Sequence, residues 1–297
     1  MSPVAFIRVA LVFAACASAS LVRADEHLFG YVFTSEVIPQ GRFGLIQTAG
    51  LREGKKGGDY AALDLVSEIE YGLTNRVTIF AAVVNFHHDY SGYEGSRSYG
   101  AGRDEFSYGG WDLGAKWMIL SPYLDPVGLA VRPQLERREI ARLDGDEIDQ
   151  WTGRIGVALH KNFFGDTLVT ALDYVLEAER REGEASGEKL GHEILAGATY
   201  RVIPKWFVGF EARYQTDYTD AVFDELDALA GGESQQWAVY AGPSLHYGAR
   251  RFWATAALLW QIDGADDEDP FFARFGERRH QERHEAWHLR LKIGFPL

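Results

Sequence analysis

Charged side chains at every second position are the residues of this sequence best placed to do chemistry. Asp64, Glu68 and Glu70, Asp112 and Lys116, Arg132 and Glu136, Asp173 and Glu177, Glu211 and Arg213, and Arg290 and Lys292 stand in such runs, as do Arg154 and Glu193. Residues two apart share a face of an extended chain, so each run predicts a strand with one charged and one apolar side. Acids and bases facing one another across a narrow bore have two uses. They could form an eyelet that selects small polar solutes, or a plug of ion pairs that stiffens the walls. Pairing alone does not separate the two, because buried charges have to be paired in either.

Other constellations are weighed against plainer readings. His280, His284 and His288 recur at four-residue spacing beside Glu277, Glu282 and Glu285. On a helix that would gather imidazoles for a metal, but in a loop entering a strand a four-residue step is about 13 Å, too far for one ion. His87-His88 at a strand mouth is read the same way, so no metal and no cofactor is expected. Acidic runs at Asp144, Asp146, Glu147 and Asp149, at Asp217, Asp220, Asp224, Glu225 and Asp227, and at Asp263, Asp266, Asp267, Glu268 and Asp269 could hold divalent cations shared with lipopolysaccharide; the plainer reading is solvated loop. His192 lies on the apolar parity of its strand with no serine two residues away, and Ser244 and His246 fall on the opposite parity. Neither makes a nucleophile with its base, so an enzyme is not expected, with a lipid hydrolase as the minor alternative.

The elements that must position these charges are strands. Trp287, Leu289, Leu291, Ile293, Phe295 and Leu297 alternate with His288, Arg290, Lys292, Gly294 and Pro296, and similar alternation recurs through Trp237–Leu245, Trp206–Tyr214, Leu190–Tyr200, Leu168–Leu176, Trp151–Leu159, Trp111–Ile119 and Leu63–Tyr71. Val77–Asn85, Val127–Glu136, Phe252–Gln261 and Phe43–Leu51 carry apolar residues on both faces. The expectation is an all-β, antiparallel, up-and-down transmembrane barrel of about twelve strands, each of roughly nine to eleven residues. Short turns at 72–76, 120–126, 161–166, 201–205 and 247–251 alternate with longer linkers at 52–60, 86–105, 137–149, 180–188, 216–236 and 262–284. That asymmetry is how outer-membrane barrels separate periplasmic turns from extracellular loops. Trp111, Trp151, Trp237, Trp260 and Trp287 fall beside long linkers and Trp117, Trp206 and Trp253 beside short turns, which predicts an aromatic girdle at each interface.

Composition and the leader agree with export. Residues 1–24 have a basic start at Arg8, an apolar stretch Val9–Ala15 and small residues to Ala24, the layout of a secretory signal peptide, with cleavage after Ala24 or, alternatively, Ala19. Cys16, the one cysteine, lies in that leader in a context loosely like a lipoprotein acylation site, though with Phe13 where an aliphatic residue belongs. Residues 25–41 are expected as a periplasmic N-terminal segment, with room to tuck into the periplasmic mouth, and 42–297 as the barrel. A net charge of −13, near −15 once Arg8 and Arg23 are removed, argues against nucleic acid.

The run Gly30-Tyr31-Val32-Phe33-Thr34-Ser35-Glu36 with Pro39-Gln40-Gly41, then Glu70-Tyr71-Gly72-Leu73-Thr74-Asn75-Arg76, then Ser121-Pro122-Tyr123-Leu124-Asp125-Pro126-Val127-Gly128, resembles a family of uncharacterised Gram-negative outer-membrane barrels. These are relatives of the outer-membrane transporters encoded with phenol-degradation (MetA-pathway) genes. The resemblance spans most of the chain past the leader and carries no catalytic or ligand position. It implies outer-membrane localisation, a porin-like passive channel or transporter for small molecules, partners in outer-membrane lipid, lipopolysaccharide and the barrel-assembly machinery, and an unassigned solute. The alternative is a closed barrel that is structural or binds at the cell surface.

Overall fold

Period-two alternation and antiparallel pairing leave a sheet with two open edges unless its first and last strands meet. In the computed structural model, which describes residues 27–55, 57–92, 102–182, 187–219, 234–265 and 284–297, they do meet. The described residues form β1 (Phe43–Glu53), β2 (Asp59–Thr74), β3 (Val77–Ser91), β4 (Arg103–Leu120), β5 (Gly128–Ile140), β6 (Glu147–Phe163), β7 (Leu168–Glu182), β8 (Gly187–Ile203), β9 (Trp206–Thr219), β10 (Ser234–Gly248), β11 (Trp253–Ala265) and β12 (Trp287–Pro296). Each pairs antiparallel with its sequence neighbours, and β1 closes on β12 from Gly44↔Pro296 to Glu53↔Trp287.

The walls are inverted relative to a water-soluble protein. Along β3, Thr78, Phe80, Ala82, Val84, Phe86 and His88 point inward and are buried, while Ile79 and Val83 are exposed outside. Leu113, Trp117, Ile155, Leu172, Ile194, Phe210 and Leu291 likewise stand exposed on the outer face, whereas Asp64, Glu136, Glu211 and Lys292 are buried inside. An apolar exterior around a charged interior is the arrangement a lipid environment demands.

The strands run from 10 residues in β12 to 18 in β4, and all but β1 and β12 are longer than the nine to eleven expected. Pairing continues past the length a bilayer requires: 16-residue β2 rises roughly 50 Å at 3.4 Å per residue, against about 30 Å of hydrocarbon. The linkers expected at 52–60, 86–105, 137–149 and 180–188 are shortened accordingly, being largely strand at their edges. Where β3 meets β4 the register shifts between Val84 and Asn85, and the chain turns through Gly110 at φ 132°. A Cβ there would sit 1.9 Å from the Arg137 carbonyl oxygen, so only glycine fits the bulge.

Inside the barrel lies a second apolar layer. Phe29, Tyr31 and Val32, from the segment before β1, pack with Val169, Ala171, Leu195, Ala238, Tyr240, Ala257 and Leu259 of the wall. That contact explains the two-faced strand at Phe252–Gln261: the inner apolar residues Ala257 and Leu259 are covered by the chain's own N-terminal segment rather than by water.

Candidate functional site

Residues 27–41 enter the barrel from the end that holds the short turns and cross its bore. The segment is anchored by backbone donors meeting inward carboxylates and hydroxyls. Glu211 accepts the N–H groups of Gly30, Tyr31 and Val32 at 2.8, 2.7 and 3.3 Å, and Asp173 accepts that of Phe33 at 2.5 Å. Thr255 donates to the His27 carbonyl at 2.5 Å, and the Ile38 N–H donates to Thr78 at 2.9 Å. An irregular segment without ladder partners needs such acceptors once it is out of water. Cationic side chains cover its rings: Arg132 lies 4.3 Å from the Phe33 centroid and Arg290 lies 4.0 Å from that of Tyr31.

Above this floor is a cavity of about 870 Å³, lined by many charged and polar residues with apolar ones such as Val66, Val84 and Val175 between them. At the opposite mouth the β5–β6 connection, residues 141–146, folds inward. Its Arg142 carbonyl accepts from Arg52 at 2.6 Å, its Leu143 carbonyl from Tyr60 at 2.8 Å and its Asp144 carbonyl from Tyr90 at 2.9 Å. Arg142 itself reaches Asp64 at 2.8 Å. Asp144 is buried, and Asp146 and Asp149 pair with Arg103 and Arg137 at 2.8 and 2.9 Å. Asp144 and Asp146 are therefore part of the mouth's framework rather than solvated loop, whereas Glu147 and Asp149 are exposed, as a solvated run would be; most of the other two runs lie outside the described residues.

Beside the mouth, Lys55, Arg52 and Glu285 converge, with the Lys55 amine 3.5 Å from Glu285 and Arg52 paired to both Glu285 and Asp64. Burial lowers the Lys55 amine to about 8, against the opposing pull of Glu285. Burial alone would raise Glu285, but Lys55 and Arg52 outweigh it and hold this carboxyl well below the usual carboxylate range. At the floor, burial pushes the His27 imidazole well below its ordinary value, and Lys292, Lys116 and Arg132 push it the same way.

Between floor and mouth runs a belt of ion pairs. Arg138 bridges Asp112 and Glu136 at 2.5 and 2.9 Å, Arg154 joins Glu136 at 3.1 Å and also Glu177, and Arg213 pairs with Glu193. Of the charged residues singled out by parity, Asp64, Glu68, Asp112, Lys116, Arg132, Glu136, Arg154, Asp173, Glu177, Glu193, Arg213, Arg290 and Lys292 line the cavity. Glu70 is buried beside Gly44 and does not line it, and Glu211 is fully buried beneath the segment it holds.

Not every expectation is met. Trp253, assigned to the girdle, faces inward at 2% exposure and stacks on His27 at 5.0 Å, over Gly294; Trp117, Trp151, Trp206 and Trp260 are exposed on the outside, and Trp111, Trp237 and Trp287 are part-exposed. The correction has a physical cause: the first inward position of β11 must cover the entering segment, and a ring does that. His280 lies outside the described residues. His284 meets Gln215 at 2.6 Å and His288 meets Glu285 at 3.1 Å, and no group of three or more metal-type ligands converges among the described residues. His88 points inward to the Arg142 carbonyl at 3.1 Å while His87 pairs outside with Asp104 at 2.9 Å. His192 is hydrogen-bonded to the Tyr174 hydroxyl at 2.6 Å on the outer wall, and His246 to Thr255 at 2.7 Å inside.

Sequence reasoning missed Arg138 and Lys189, which continue the inward parity of Gln134, Glu136 and of Gly191, Glu193, and parity carried one step further would have found both. Arg142 and Lys55 lie in connections, where no period marks which way a side chain points.

Comparison with known proteins places this architecture. The COG4313 outer membrane channel from Pseudomonas putida F1 superposes with a TM-score of 0.57 at 13% identity, over 89% of this chain and 98% of that one. OmpT, an outer membrane protein of Vibrio cholerae, aligns with a TM-score of 0.40 at 9% identity over 86% and 96% of the two chains, and the NanC porin with 0.46 at 12% over 85% and 100%. At 13% identity the likeness to the COG4313 channel is one of fold, that of a closed outer-membrane barrel, here of twelve strands. No curated protein matches the sequence. The profile of a family of unknown function, DUF6662, matches residues 21–297, and the chain belongs to that family.

Proposed function

We propose that the protein spans the outer membrane of a Gram-negative cell after export by its signal peptide and acts there as a passive channel for small polar solutes, narrowed by its own N-terminal segment. The observation that carries this reading is the charged cavity of about 870 Å³ enclosed by the barrel wall. Were the barrel only a structural post, apolar packing could fill that space at lower desolvation cost. In this reading the outer apolar band contacts lipid and lipopolysaccharide, the barrel-assembly machinery inserts the chain, and no chemical reaction is catalysed. A kinship with phenol-degradation transporters belongs to the same proposal. The solute is left to the lumen's chemistry.

A closed barrel is the second reading, favoured by the constriction at both ends, from residues 27–41 below and 141–146 above. Planar-bilayer recording on the purified protein separates the two. Reproducible single-channel steps are expected of the channel; persistent silence from protein whose gel mobility is still heat-modifiable would support the closed barrel instead.

A further inference from the structure

The cations of the belt are held in ion pairs, but two cations at the floor of the cavity are not. Arg138, Arg154 and Arg213 each hold a carboxylate. Arg290 and Lys292, two residues apart on the inner face of β12, hold none among the described residues. Lys292 is 5% exposed, and its amine lies over the Phe33 ring, 5.3 Å from the centroid. Arg290 has a buried Nε with no hydrogen-bond partner, and its Nη1 is 3.5 Å from the Gly30 carbonyl. Arg132, sandwiched between Phe33 and Phe80 at 4.3 Å from each, is 3.7 Å from Glu68.

Three carboxylates of the floor are turned to other partners, Glu68 to Arg132 at 3.7 Å, and none makes an ion pair with Arg290 or Lys292 among the described residues. Glu211 is committed to three backbone N–H groups and Asp173 to a fourth. Ring faces compensate a cation only partly, and an ammonium removed from water without a counter-charge is costly. All three cations border the cavity, so a mobile anion can reach them. The depression of His27, to which Lys292 and Arg132 contribute after burial, reports the same positive potential from a neighbouring group.

We propose that Arg290 and Lys292, with Arg132 behind Phe33, form a binding site for a small oxyanion, a carboxylate or a phosphate, at the floor of the lumen. The planar guanidinium of Arg290 offers two parallel donors to a pair of oxygens, and Lys292 adds a point charge. Thr48, paired with Lys292 across β1 and β12 and bordering the same cavity, brings a hydroxyl. The inference gives a substrate class to the channel and rests on that reading for its use, although binding itself does not require conduction.

Calorimetric titration of the detergent-purified mature protein with sodium acetate and, separately, sodium phosphate at constant ionic strength tests it. Saturable binding of at least one is expected, and the tighter of the two identifies the source. Lys292→Gln and Arg290→Gln should each weaken it by roughly tenfold or more, while Lys292→Arg should keep it within about threefold; heat-modifiable mobility checks that each variant is folded. No saturable binding of either anion to the wild type, or unchanged binding in both neutral variants, would overturn the proposal. Bilayer recording judges the channel separately: binding with silence keeps the site and removes the channel, and conductance without binding does the reverse.

Discussion

Glu211, midway along β9, accepts the backbone N–H of Tyr31 at 2.7 Å across a sequence separation of 180 residues. That carboxylate is the principal anchor of the segment that forms the lumen floor, because its two oxygens also serve Gly30 and Val32. Glu211→Gln halves the acceptors and removes the charge. Hydrogen bonds to a charged acceptor contribute about 1.5–3 kcal/mol each, so residues 30–32 should lose most of their protection. Amide hydrogen exchange by mass spectrometry reads this directly, and unchanged protection in a folded variant would refute the anchoring role.

Gly197 offers an independent way to dislodge the same segment. A Cβ there would meet Phe29 ring atoms at 2.7 and 2.8 Å and Val32 at 3.2 Å. Gly197→Val should push the segment out of its seat, at a cost of about 1–3 kcal/mol for overpacking, and raise single-channel conductance. Gly153, with nothing within 4 Å of its would-be Cβ, is the control: Gly153→Ala should leave conductance and exchange alone.

At the mouth, protonation has a defined direction. Glu285 is held well below the usual carboxylate range, so the stability it contributes is present above its unfolded-state pKa and is lost as pH falls through its lowered folded value. Lys55, at about 8 against an ordinary 10.5, has the same sign in a higher window: between those values the unfolded chain binds more protons, and stability again rises with pH. Reductive methylation with ¹³C should show a Lys55 signal titrating near 8, and Glu285→Gln should move it lower. A midpoint above 10 in both proteins would contradict the cluster.

Much of the barrel was legible because its signal is local. Alternation fixes which residues share a face without knowledge of the partner strand, so Asp112 and Lys116 on β4 or Arg290 and Lys292 on β12 could be placed from spacing alone. The floor was not legible in that way. Its bonds join residues such as Phe33 and Asp173, separated by 140 positions, and no period connects them. A trace remained in one strand with two apolar faces, Phe252–Gln261: Ala257 and Leu259 are inward residues too greasy for an open aqueous pore, and they pack on Phe29, Tyr31 and Val32. They implied that something inside the barrel covers them. Trp253 was misplaced for the same reason, since proximity to a turn marks an interface residue only when the side chain points outward.

A membrane barrel turns its apolar face to lipid and its charged face to the lumen, and tryptophan quenching measures which side of the wall meets lipid. Two single-tryptophan proteins, retaining Trp117 at 55% exposure outside or Trp253 at 2% inside, would be reconstituted in bilayers of brominated phospholipid. Strong quenching of Trp117 with Trp253 nearly unaffected is the predicted result. Equal quenching of the two, or a folded, monodisperse protein in buffer without detergent, would contradict it.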